Sequence, residues 1–68
     1  MPTHNDTIAV ANTLIQKLNE AAMDHHHAAA EAIQQGRFDA AIGDLTLQRE
    51  ATGALIAALE AVKFLKGE

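Results

Sequence analysis

The chain contains no cysteine, no serine, no tryptophan and no tyrosine. Without thiols there is neither a disulfide staple nor a thiolate metal site, the usual reinforcements of very small domains. Without cysteine or serine, and with its threonines near the terminus or within the second half without a neighbouring base, the sequence gives no support for nucleophilic catalysis. Large apolar side chains are scarce too. Of 68 residues thirty-three are hydrophobic, but fifteen of these are alanine, leaving eighteen larger ones including Met1. Positive charge is equally thin: five Lys plus Arg against nine Asp plus Glu, a net charge of −4, which opposes a phosphate-backbone binder. No apolar run approaches the roughly 18 residues of a membrane span, and no basic-then-apolar segment opens the chain. The expectation is a cytoplasmic protein with no membrane and no nucleic-acid partner.

Proline is nearly absent, with Pro2 alone, and glycine occurs only at Gly36, Gly43, Gly53 and Gly67. What remains is rich in alanine, leucine, glutamate and glutamine, all favourable to helix. Apolar residues recur in steps of three and four at Ile8, Ala11, Ile15, Leu18, Ala22, Ala29 and Ala32 or Ile33, interrupted once at His25. Thr3, Asn5 or Asp6 can cap the start, and Gly36 suits the left-handed residue that ends a helix. The first helix is predicted over about residues 5–35.

Phe38 restarts the pattern, through Ala41 or Ile42, Leu45, Gln48, Thr52, Leu55, Leu59, Val62 and Leu65. Asp39 in the first turn and Lys63 and Lys66 in the last complement the helix dipole. The second helix is predicted over about 38–66. A turn at 36–37 makes the two helices antiparallel neighbours. Residues 1–68 therefore read as one all-α domain, an antiparallel two-helix hairpin. Folding at Gly36-Arg37 places Ile8 by Leu65, Ile15 by Leu59, Leu18 by Leu55 and His25 opposite Gln48. One polar layer is expected at mid-hairpin: His25, Gln48 and Thr52.

A two-helix chain has no third element to cover its remaining apolar surface. A second stripe is expected to form a partner interface through Leu14, Leu47, Ala51, Ala54, Ala58, Ala61, Phe64 and Leu65. Eighteen larger apolar residues make a thin core for one chain. Completion into a helical bundle by a partner or a second copy is therefore expected.

Asp24-His25-His26-His27 is the most conspicuous motif. Consecutive helical residues point about 100° apart, so three adjacent histidines do not converge on one ion. The best group on a common face is Met23, His27 and Glu31, with one imidazole and one carboxylate. The scattered carboxylates read as solvated faces, no glycine-rich phosphate loop is present, and a non-enzymatic protein without cofactor or metal is expected.

The run Ala32-Ile33-Gln34-Gln35-Gly36-Arg37-Phe38-Asp39-Ala40-Ala41-Ile42 resembles the helix–helix boundary of a tetratricopeptide repeat, but no 34-residue self-similarity accompanies it. A second resemblance spans nearly the whole chain. Gly36 at the turn, Leu47-Gln48-Arg49-Glu50 as a polar step and Ala54-Leu55-Ile56-Ala57-Ala58-Leu59 beyond it are similar to the small helical-hairpin co-chaperones of type III secretion needle subunits. The His25–His27 run and the lack of Tyr or Trp early in the second helix depart from that pattern. The resemblance implies a helical-repeat chaperone as partner, which sequesters the needle subunit before export. Two other readings remain open: a homodimeric four-helix bundle with a regulatory or phage-related role, and metal binding through the histidines.

Overall fold

The computed structural model describes residues 4–67, with side chains from residue 6 onward. Two helices, α1 (His4–Gln34) and α2 (Phe38–Lys66), pack against each other as an antiparallel hairpin. Asn5 and Asp6, offered above as caps, lie inside the first turn of α1, and Thr3 lies outside the described residues. No described helix is long and apolar enough to cross a membrane.

The chain reverses through a Schellman motif. The Arg37 N–H donates to the Ala32 carbonyl at 2.8 Å and the Gly36 N–H to the Ile33 carbonyl at 3.1 Å. This pattern satisfies carbonyls that the end of α1 would otherwise leave unpaired, and it needs a left-handed residue at its hinge. Gly36 supplies it at φ 73°. Arg37 then opens α2 without a side-chain cap, its carbonyl accepting the Ala41 N–H at 3.0 Å. Gly67 closes α2 in the same left-handed conformation, at φ 75°.

The result is a rod of 50 × 17 × 15 Å. Its radius of gyration, 15.4 Å, exceeds the roughly 11 Å of a compact chain of this length. Only Ala22, Ala29, Ala32, Ala41 and Val62 are buried among the described residues, none larger than valine. Three of them, Ala29, Ala32 and Ala41, flank the turn, where small side chains let the helix backbones approach closely.

Burial along α1 follows the expected stripe: Ile8, Ala11, Ile15, Leu18, Ala22, His25, Ala29 and Ala32 are buried or half-buried. Ala32 takes the seam, and Ile33 is left 52% exposed. Along α2 the buried and half-buried row is Ala41, Asp44, Gln48, Ala51, Leu55, Ala58, Val62 and Leu65. This corrects the expected α2 seam in three places. Asp44, Ala51 and Ala58 stand where Leu45, Thr52 and Leu59 were expected, which turns the helix by about 50° about its axis. Alanine at these steps allows a closer approach than leucine or threonine, and Leu45 and Leu59 move to the flank of the seam. Leu59, expected beside Ile15, is 48% exposed.

The register stays near the expected one, since Asn19 and Leu55, Ala22 and Thr52, and His26 and Gln48 line the same groove. His25 reaches about one turn towards the bend, where its Nδ1 lies 3.7 Å from Asp44 Oδ1. The apolar stripe passes over Asp44 because a carboxylate looks misplaced in a seam. It is tolerated there because it remains partly hydrated and faces an imidazole.

Candidate protein-interaction surface

Two flanks run the length of the rod, one on each side of the seam. The first carries an open groove at mid-hairpin, lined by Asn19, Met23, His26 and His27 from α1 and Thr52 from α2, with Ala22, Gln48 and Leu55 as its floor. Small residues at Ala22 and Thr52 leave this gap between larger neighbours. Residues three, four or seven positions from those lining residues share the same flank. It therefore extends to Ile33 on α1 and to Ile42, Leu45, Ile56 and Leu59 on α2, all exposed. Arg49, Lys63 and Lys66 fall on this flank, together with Glu20, three residues before Met23, and Glu60, three before Lys63.

The opposite flank is built differently. Leu14, Ala21 and Ala28 from α1 and Ala40, Leu47, Ala54 and Ala61 from α2 border the seam there. Val10, Gly43, Ala57 and Phe64 lie farther out. Its charges include Asp24, Asp39 and Glu50 against Lys17, while Glu31 lies towards the back of α1, four residues from groove-lining His27. Phe64 is 83% exposed.

Five of the eight predicted interface residues, Leu14, Leu47, Ala54, Ala61 and Phe64, lie exposed on this acidic flank. The other three, Ala51, Ala58 and Leu65, are half-buried in the seam of the hairpin itself, a consequence of the rotation of α2. The groove flank went unrecognised in the sequence. Its signal was present at Ile42, Leu45, Ile56 and Leu59, but Arg49 and Thr52 interrupt the stripe at its centre.

Of the expected polar layer, His25 and Gln48 are half-buried, Thr52 is exposed, and Asp44 joins in its place. The 3.7 Å separation is within ion-pairing range but too long for a hydrogen bond. His26 and His27 are exposed, with their rings edge to face at 6.2 Å and 65°. Met23 accepts a contact from Asn19 Nδ2 at 3.8 Å and Glu31 one from Gln35 Nε2 at 3.3 Å, both along α1. Among the described residues no three His, Cys, Asp or Glu side chains are grouped to hold a metal ion. No described polar or charged residue is buried. The surface thus offers large apolar side chains to contact. Compared with known proteins, the chain matches no family model, no curated protein and no solved structure.

Proposed function

We propose that this hairpin acts by binding protein, without chemistry of its own, and that the bound partner completes its core. One observation carries the reading. Eleven large apolar side chains are exposed among the described residues, while nothing larger than Val62 is buried. The chain exposes 5062 Å², whereas a compact monomer of its mass exposes about 4100 Å². The excess, roughly 900 Å², is close to the ~800 Å² that each partner buries in a standard protein interface. A co-chaperone role in type III secretion is the form suggested by the sequence resemblance, with a helical-repeat chaperone as partner and the cytoplasm as its place. A four-helix bundle of two copies uses the same exposed surface.

The test is the stability of the isolated chain. At low micromolar concentration it should unfold broadly and at low temperature, and gain a sharp, later transition as concentration rises or a partner is added, because whatever binds only the folded form stabilises it. A cooperative, concentration-independent melt of a dilute monomer, with no uptake of a hydrophobic dye, would refute the reading.

A further inference from the structure

We propose that the mid-hairpin groove holds one soft monovalent cation, copper(I), between the Met23 thioether and the His26 and His27 imidazoles. The site needs no partner chain and does not rest on the protein-binding reading. All three side chains line the same groove, and helical spacing explains why. At about 100° per residue, His26 lies roughly 60° to one side of Met23 and His27 roughly 40° to the other, both about one turn further along α1. Helical side chains lean back towards the N-terminus, so both imidazoles reach over the thioether. Adjacent histidines alone diverge, but a methionine one turn before them and between them gives them a common neighbour. His25 takes no part, because it turns to the seam and to Asp44.

The separations suit a shared ion. Two imidazoles that bind one metal through N–metal bonds of about 2.0–2.1 Å hold their ring centroids roughly 5.5–6.5 Å apart. The His26 and His27 centroids stand 6.2 Å apart. Both rings and Met23 are exposed, so small rotations of their side chains meet little resistance. Met23 Sδ lies 3.8 Å from Asn19 Nδ2, a weak contact that engages one sulfur lone pair and leaves the other.

The donors select the ion. A thioether is soft and neutral, and with imidazole it favours copper(I) over hard cations. Zinc draws its ligands from thiolate, imidazole and carboxylate, and no three His, Cys, Asp or Glu side chains are grouped among the described residues. Glu31, the third member of the same-face group expected from the sequence, does not line the groove and accepts from Gln35 Nε2 at 3.3 Å instead. Copper(I) accepts the linear or trigonal coordination that a surface groove can offer. The apolar floor of Ala22 and Leu55 limits water on one side and favours the ion of lower charge.

Silver(I), a redox-inert stand-in, titrated into the full chain in chloride-free buffer, should shift the Met23 methyl and the His26 and His27 ring signals in NMR spectra along one saturating curve. The His25 ring signals should stay in place. Copper(I), kept reduced by ascorbate without oxygen, should be taken from a chromogenic chelator, and Met23→Leu, His26→Gln and His27→Gln should each weaken its binding by about tenfold or more. His25→Gln should bind as the unaltered chain does. The three groove positions are exposed and Met-to-Leu nearly conserves volume, so these variants should keep the hairpin, which circular dichroism checks. Histidine shifts without the Met23 methyl, undiminished affinity in Met23→Leu, loss of binding in His25→Gln, or no saturable binding at all would each overturn the site.

Discussion

His25 on α1 and Asp44 on α2 face each other across the seam, with Nδ1 and Oδ1 3.7 Å apart and both side chains partly hydrated, at 33% and 26% exposure. They are the one ionisable pair bridging the two helices among the described residues. Such a pair orders two side chains and loses much of its attraction to solvent screening, so its net contribution is about 0–1 kcal/mol. Its use is to make one alignment of two alanine-rich helices better than its neighbours. A polar residue placed in a seam has this effect in helical pairs generally.

Asp44→Ala should accordingly lower stability by no more than about 1 kcal/mol, and His25→Leu should be neutral or stabilising. Denaturant titration of both variants checks this. A loss several times larger would mean that the pair belongs to a wider buried network.

Ala29 and Ala32 are each 1% exposed, where the backbones run closest. Ala32→Leu should force the helices apart and cost about 1–3 kcal/mol. Ala54→Leu, on the exposed acidic flank, should leave hairpin stability within about 0.5 kcal/mol. Thermal melts of the two variants side by side separate a packed seam from a bare flank.

At Gly36 an added Cβ would meet nothing within 4 Å, yet φ is +73°. Gly36→Ala should therefore destabilise the hairpin by about 1 kcal/mol through backbone conformation alone. D-alanine at the same position, introduced by peptide synthesis, should stabilise it, because a left-handed residue is then preferred and the unfolded chain has fewer states. Equal effects from both enantiomers would show that space, not φ, limits the site.

Micromolar zinc should leave the melting temperature unchanged, since no three histidine, cysteine or carboxylate ligands are grouped among the described residues. Binding to the folded chain at a hundredfold excess over Kd would add about 2.7 kcal/mol. Calorimetry with and without chelator distinguishes the two results.

Much of this architecture is legible in the residues themselves. The α1 seam can be followed from Ile8 to Ala32 because its apolar residues keep a seven-residue repeat with one interruption. The turn is legible in Gly36, since few residues other than glycine end a helix in the left-handed conformation. The face of α2 is harder to choose. Ala51 competes with Thr52 and Ala58 with Leu59, and hydrophobicity favours the larger residue at 59 where close packing favours the smaller. Asp44 is hidden for a different reason. A carboxylate in a seam makes sense only once an imidazole within reach is known, and periodicity does not reveal a side-chain contact made one turn off its own layer. The groove flank shares the difficulty, because a row broken by Arg49 and Thr52 reads as solvent-facing until the two helices are set beside each other.

The grading of side-chain size along the rod bears on how it opens. Tight alanine contacts sit beside the bend, and the seam loosens towards Ile8 and Leu65, which are only half-buried. Closing the bend joins residues near in sequence and costs little chain entropy. Folding therefore starts at Gly36 and zips outward, and fluctuations unzip the free end first. Amide protons near Ala29 and Ala41 should exchange last and those near Ile8 and Leu65 early, as local opening without global unfolding permits. A partner of the kind proposed above, arriving at the free end, would meet two helices already able to part, so capture would begin there and travel towards the bend.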